Sequence, residues 1–403
     1  AIPPVTANPP SQTAPAAIPP VVIIAPANTI PETIPHAASA TLGKCPQLSK
    51  PLSITERRYA RAAWQYFRAS SQASGLINDR SDFKGASMWG LGDYLSALRA
   101  ARGLGIVSEL DFDQRVRQLF GTIAQLTLVG GELPNRGYDP WSLQPVDYGG
   151  NPVEGGTGWS AADLGRLISA LYGLKTCYPD YTEAVDRILL DWSYLRVVRD
   201  GALMSGTISR DSNGRTLTRV NPEQRLGYEE YAARAFQLWG FDVESSTVGG
   251  QYKTASVEGE NVPLQRVRKI SAANQKQYTV VNPFLVYGLE FGFDPQMRSL
   301  FLPILKAQAE RYQHTNTLTG AGTVLTLQSP YIVHSTVVGQ GAPWAVLDDD
   351  GKVAPNGRIV STAAAFAMHA LFPDLPYTQN LWQASTDLYN PQLGYYEGFY
   401  EQK

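Results

Sequence analysis

Residues 131–166, GELPNRGYDPWSLQPVDYGGNPVEGGTGWSAADLGR, decide how the rest of the chain is read. The stretch is too polar and glycine-rich for core and too aromatic for a linker. Glu132, Asp139, Asp147, Glu154 and Asp163 are interleaved with Tyr138, Trp141, Tyr148 and Trp159. Carboxylates among aromatic rings suit a sugar-binding cleft. The rings cover the apolar C–H faces of a sugar, and the acids take its hydroxyls or protonate its glycosidic oxygen. Helical patterns flank the stretch on both sides, so it reads as rim and floor of a site at one end of a helical barrel.

Working outward, Ser53-Ile-Thr-Glu56 has the S-x-x-E form of a capping box. Behind it Tyr59, Ala63, Tyr66 and Phe67 recur on one helical face. Residues 71–85 read as a loop. Further helices are expected over 86–105, 111–126, 160–178, 181–197, 222–239, 283–291, 295–314, 360–371 and 377–387. Residues 201–220 break the pattern, with β-branched residues and an Asp-Ser-Asn-Gly turn that predict a hairpin. Residues 243–280 read as a second strand-like insertion. The fold class is mainly α: an (α/α)6 toroid of alternating inner and outer helices with short β-hairpin insertions. Gly90, Gly92, Ala97, Ala161, Ala162 and Gly165 suit closely packed inner helices. No fixed repeat period is present, which argues against a regular helical solenoid.

Composition bounds the alternatives. The 403 residues are 43% hydrophobic, enough for a large core. Residues 1–50 are rich in Pro and Ala and read as a disordered, extended tether, with Val21–Ile24 able to dock as an edge strand. Residues 51–403 form one domain. A formal net charge of −2 and 17% charged residues give no basis for binding nucleic acid or an anionic membrane. No apolar run is long enough for a membrane span. The sequence starts at Ala1, as a processed or trimmed product would, and a secreted or periplasmic protein with its signal peptide removed is expected. Cys45 and Cys177 permit either one disulfide in an oxidising compartment or two buried thiols. The four histidines show no paired spacing, so no metal is expected. No phosphate-cradling loop is present either, so no cofactor is expected. Asp348-Asp349-Asp350-Gly351 lacks the spacing of a calcium loop and reads as a polar turn. A monomer is expected.

The stretches SMWGLGDYLSALRAARGLGIVSELDFDQR, the 131–166 region, RLGYEEYAARAFQLWGFDV, NPFLVYGLEFGFD and PWAVLDDDGKVAPNGRIVSTAAAFAMHALFP occur in that order. Together they resemble the bacterial family called domain of unknown function 3131, over roughly residues 53–403. That family looks related to the glucoamylase-like domains of cyclic β-1,2-glucan synthases and to endo-β-1,2-glucanases, which are (α/α)6 barrels. The resemblance implies a glycoside hydrolase acting on a β-glucan or another bacterial exopolysaccharide. Tyr138-Asp139-Pro140 looks like the relatives' Tyr-Asp-Thr segment, with Pro140 in place of threonine. Their Asp-Ser-Gly-Asn motif is not reproduced at Trp159–Asp163, and Glu230 matches the glutamate of their Phe-Glu-Tyr. The family continues past GYYEGFYE into a further helix, whereas this sequence stops at Lys403, so either a final helix is lacking or the ring closes differently.

The expected catalytic residues are Asp139, Glu230, Glu229 and Asp163. Asp139 and Glu230 form the acid–base pair of an inverting mechanism, and Glu229 is a substrate-binding or structural neighbour. Asp163 either joins the site or completes the cap of its helix. Trp89, Tyr138, Trp159, Tyr228 and Trp344 are candidate stacking platforms, against a plain core role. Asn135 and Arg136 are candidates for sugar hydroxyls. Asp93, in an apolar helix, either lines the floor or holds an arginine. Two other readings stay open. The cleft could bind glycan without cleaving it, which gains if Asp139 or Glu230 is buried away from the cleft. A polysaccharide lyase is disfavoured by the few Lys and Arg in the polar loops.

Overall fold

The computed structural model describes Cys45, Leu48 and residues 50–401, apart from residues 82, 214, 268–276 and 327–328. The expected tether and its Val21–Ile24 segment lie outside the described residues. Ten α-helices are described: α1 (Ile54–Ser70), α2 (Met88–Gly103), α3 (Glu109–Ile123), α4 (Ala161–Cys177), α5 (Thr182–Leu190), α6 (Tyr228–Gln237), α7 (Asn282–Phe291), α8 (Pro295–Thr315), α9 (Thr362–Leu371) and α10 (Pro376–Ser385). The chain is mainly α with β-hairpin insertions, as expected.

Local chemistry sets the helix ends. The capping box is present: Glu56 N–H donates to Ser53 Oγ, and Ser53 N–H to Glu56 Oε2. Two helices are shorter than their periodicity suggests. α5 ends at Leu190, and the following turn is drawn off by Ser193 N–H donating to the Glu132 carbonyl. α6 starts only at Tyr228, because Gly227 has φ +82°, a left-handed conformation that ends any helix running through it.

Inner and outer helices alternate. α2 packs on α4, α4 on α6, α6 on α7, and α7 on α9. Residues 161–171 of α4 are buried on every side, as befits a helix surrounded by others. α1, α3, α5, α8 and α10 each keep a solvent face. The alternation breaks once. Between α6 and α7 stands a hairpin, Tyr252–Val257 paired with Glu260–Arg266, which packs on α8. The expected hairpin over 201–220 is Ala202–Arg210 paired with Thr216–Pro222. Residues 322–348 carry a further three-stranded sheet that periodicity did not reveal. The segment 389–400 returns against α1 and α9.

Two glycines set how closely the inner helices approach. A Cβ on Gly92 of α2 would lie 2.7 Å from the Arg166 carbonyl oxygen of α4. A Cβ on Gly165 of α4 would lie 2.7 Å from Cα of Ala232 on α6. Backbone faces backbone at both crossings, so neither can yield by a rotamer change. Gly165→Ala is therefore expected to lower unfolding stability by about 1–3 kcal/mol, measured by urea denaturation, whereas alanine at the open Gly121 of α3 is expected to leave it unchanged or raise it.

Candidate functional site

The N-terminal ends of the inner helices gather at one end of the molecule. Ser87, Ser160 and Ser361 cap α2, α4 and α9 through their hydroxyls. Loops tie these ends together. Thr323 N–H donates to Asn282 Oδ1 at the start of α7, and Thr323 Oγ1 is 3.2 Å from the Tyr228 hydroxyl at the start of α6. Thr362 N–H donates to the Glu397 carbonyl. Unpaired N–H groups and helix dipoles make this end positive and suited to anionic groups.

Carboxylates occupy it. Asp79, from the loop before α2, accepts from the Ser87 N–H with both oxygens at 3.1 Å. Its carboxylate fills the space a side chain at Gly90 would need. Asp163 stands in the first turn of α4, and its N–H donates to Ser160 Oγ at 3.3 Å. Glu397, from the returning segment, accepts weakly from Leu325 N–H at 3.5 Å. None of the three makes an ion pair among the described residues. Arg136, Tyr148, Asp79 and Ser87 line one cavity beside them.

Burial pushes the Asp79 carboxyl up to about 7; the Ser87 bonds oppose this, and the charges of Asp163 and Asp93 add to it. Burial likewise raises Asp163, against the pull of Arg225 and Arg136. Glu397 is also pushed up to about 7, chiefly by burial, with Arg80 opposing and Asp93 adding. Yet the Glu397 side chain is solvent-exposed, while Asp79 is half-buried. A group ringed by protein and still wet lies in an open cleft, where water tempers such a shift. Asp79 is the better shielded of the two.

Arginines frame the cleft. Arg225 holds Glu223 in a two-point ion pair, Nε to Oε1 and Nη2 to Oε2, both at 2.9 Å, and also donates to Ser160 Oγ. Burial alone would raise Glu223, but Arg225 and these hydrogen bonds bring it down to about 2. Arg136 donates to the Tyr148 hydroxyl, the Gly206 carbonyl and Thr207 Oγ1. Trp89 packs edge-on against Tyr228 at 5.4 Å, which puts both rings at the heads of α2 and α6.

One turn deeper lies a buried hub. Arg166 of α4 donates to Asp93 Oδ1 of α2 at 2.7 Å, to Glu290 Oε1 of α7 at 2.5 Å and to the Tyr231 hydroxyl of α6 at 2.9 Å. Tyr231 and Ser169 both donate to Glu290 Oε2. Asp93 thus pairs with an arginine, one of the two roles considered for it, and its side chain is still 43% exposed.

Other expected site residues are elsewhere engaged. Asp139 closes a turn, its Oδ1 accepting from the Trp141 and Ser142 N–H groups. Glu230 is buried at 2% exposure; it accepts from Gly227 N–H and the Tyr252 hydroxyl and lies 3.5 Å from Arg266. Both carboxylates are thus already bonded within their own surroundings. Glu229 is equally buried, its charge also bearing on Arg266. Asn135 is fully buried and staples its loop, accepting from Thr157 and Gly158 N–H and donating to the Gly137 and Val146 carbonyls. Tyr138 is fully buried, its hydroxyl donating to Thr127. Trp159 is buried against Gly206 and donates to Met204. Trp344 has the guanidinium groups of Arg311 and Arg358 against its ring, and its Nε1–H donates to Glu258 Oε1. Asn135, Tyr138 and Trp159 are structural, because each is buried and its polar groups already have partners. The 131–166 stretch is thus partly core, contrary to its composition. The polar turn at Asp348 is present, its Oδ1 accepting from Lys352 N–H.

Sequence reasoning passed over Asp79 and Glu397. Asp79 sits in an unpatterned loop. Glu397 lies in Tyr395-Tyr396-Glu397-Gly398-Phe399-Tyr400, an acid among aromatics that meets the criterion applied to 131–166.

Replacing Arg166 by Met would leave Glu290 buried beside no cation. A loss of about 3–5 kcal/mol is expected in chemical denaturation, with part of it restored when Glu290→Gln is added.

A family model described as protein of unknown function (DUF3131) matches residues 58–403. No curated protein matches. Among solved structures, an endo-β-1,2-glucanase from Chitinophaga pinensis, in complex with sophorotriose and glucose, is similar at 13% identity and TM-score 0.56, covering 87% of each chain. Candidate glucoamylases are similar too. That from Bacteroides caccae shares 13% identity at TM-score 0.55, covering 86% of each chain. That from Bacteroides fragilis shares 15% at TM-score 0.52, covering 88% of this chain and 87% of the other. At these identities the likeness is one of fold.

Proposed function

The chain belongs to the family described as protein of unknown function (DUF3131), and we propose that its carboxylate-lined cleft binds a saccharide chain and hydrolyses a glycosidic bond. The observation that carries the reading is the gathering of Asp79, Asp163 and Glu397 at the heads of the inner helices, none of them in an ion pair among the described residues. Glycoside hydrolysis needs one carboxyl that keeps its proton and one that is ionised. Asp79 is the acid: it is shielded, makes no ion pair among the described residues, and burial pushes its carboxyl up to about 7. Asp163 is assigned as the base: burial raises it, but Arg225 and Arg136 oppose that rise. Glu397 and Arg136 take sugar hydroxyls, and Tyr148 and Trp89 offer ring faces.

The saccharide named for the Chitinophaga pinensis relative supports a β-glucan as substrate, with β-1,2-glucan the first to test. A polymeric glucan fits a secreted or periplasmic site of action. The alternation of inner and outer helices supports an (α/α)6 toroid as the scaffold. The engagement of Asp139 and Glu230 favours a second reading, binding without cleavage.

Reducing-end release from a panel of β-glucans and exopolysaccharides separates the two. Asp79→Asn and Asp163→Asn are each expected to lower kcat by about 10²–10⁴-fold while melting stays unchanged. Undiminished release in both variants would sink the catalytic assignment, and glucan binding with no release by the wild type would establish the second reading.

The proton on Asp79 gives a pH signature. An acid raised above the ordinary carboxylate value is active below its own pKa, so kcat/KM is expected to fall as pH rises through about 7. A profile flat from pH 5 to 9 would remove Asp79 from the acid role.

A further inference from the structure

The chain has two cysteines, and the fold brings them side by side. The Cys45 Sγ lies 3.8 Å from the Thr176 carbonyl oxygen, at the last turn of α4. The next residue is Cys177, whose thiol is the hydrogen-bonding neighbour of Cys45. Arg99 of α2 donates to the Cys177 Sγ at 3.7 Å. Cys45 is exposed and Cys177 partly so, which leaves both open to an oxidant.

We propose that Cys45 and Cys177 form a disulfide that clasps the segment preceding α1 to inner helix α4. More than a hundred residues separate the two, so only the fold makes them neighbours, and neither has a competing thiol. The bond forms by exchange with a small-molecule or protein disulfide. The thiolate of the exposed Cys45 attacks one sulfur of that disulfide, breaking its S–S bond and expelling one thiol. The Cys177 thiolate then attacks the Cys45 sulfur of the mixed disulfide and expels the second. The pair gives up two electrons and two protons, and the oxidising disulfide becomes two thiols. Burial and the neighbouring Cys45 push the Cys177 thiol up to about 11, and the more exposed Cys45 is the first to meet the oxidant. The Arg99 guanidinium opposes that shift and stabilises the Cys177 thiolate at the second step.

The closed loop would contain α1 to α4, and with them Asp79 and Asp163. Cross-linking so long a loop restricts the unfolded chain strongly. Such bonds persist in oxidising compartments. The inference stands apart from the glycan reading, since neither thiol belongs to the cleft.

The test uses the full chain, purified reduced and then incubated with oxidised glutathione. Thiol titration should fall from two per chain to none, with the chain remaining monomeric on a non-reducing gel. Peptide mapping should recover Cys45 joined to Cys177. The melting temperature should rise by about 5 °C over the reduced chain. Cys45→Ser should keep one reactive thiol and show no rise. Two thiols still reactive after oxidation, a bond found only between chains, or a bond that leaves melting unchanged would each overturn the clasp.

Discussion

The guanidinium of Arg166 is the contact on which the inner helices depend. It is a charge removed from water, and two carboxylates and a phenol from three other helices answer it. Such a group tolerates little displacement, because any partner that moves leaves a buried charge behind. Gly92 and Gly165 let the helices come close enough for those bonds to form. Helical spacing then transmits the order upward. Asp163 lies three residues before Arg166, Tyr228 three before Tyr231, and Trp89 four before Asp93, so each cleft residue shares a face with a hub residue one turn below it. The hub fixes rotation and height for three helices at once, and the cleft residues are aimed as a consequence.

Legibility in the sequence followed the physics of each element. Regular helices show themselves through periodicity and caps, and Ser53 with Glu56 and the Asp294–Pro295 start of α8 are local signals that local chemistry honours. The Asp211–Gly214 turn likewise announced its hairpin. Irregular segments carry no period, so nothing local says which side chains point inward. Tyr138 and Trp159 look like cleft aromatics, but Thr127 and Met204, distant in sequence, take their polar atoms. Glu230 looks like a catalytic acid on an apolar helix; its carboxylate is turned back on its own helix start. A residue pattern identifies the chemistry a region can do, while direction comes from partners that the fold supplies.

Asp79 and Glu223 show how one cleft holds acids in opposite states. Both leave bulk water. Glu223 meets a guanidinium at two points and stays ionised. Asp79 meets the Ser87 N–H and hydroxyl but makes no ion pair among the described residues; other carboxylates stand near, and it is pushed up to about 7. The helix N-termini alone do not decide the outcome, since both acids stand among them; the presence or absence of a fixed cation does.

The returning segment 389–400 has a bearing on how the protein is made. It rests on α1, where Gln65 donates to the Gln392 carbonyl and Gly394 lies against the Tyr66 backbone, and it delivers Glu397 to a cleft whose other walls come from much earlier in the chain. During synthesis α2, α4 and α6 can pack as soon as they emerge. The wall bearing Glu397 is added only after all ten described helices have been made. A nascent chain therefore carries an unfinished groove until that segment emerges, and the groove is completed when the segment meets α1.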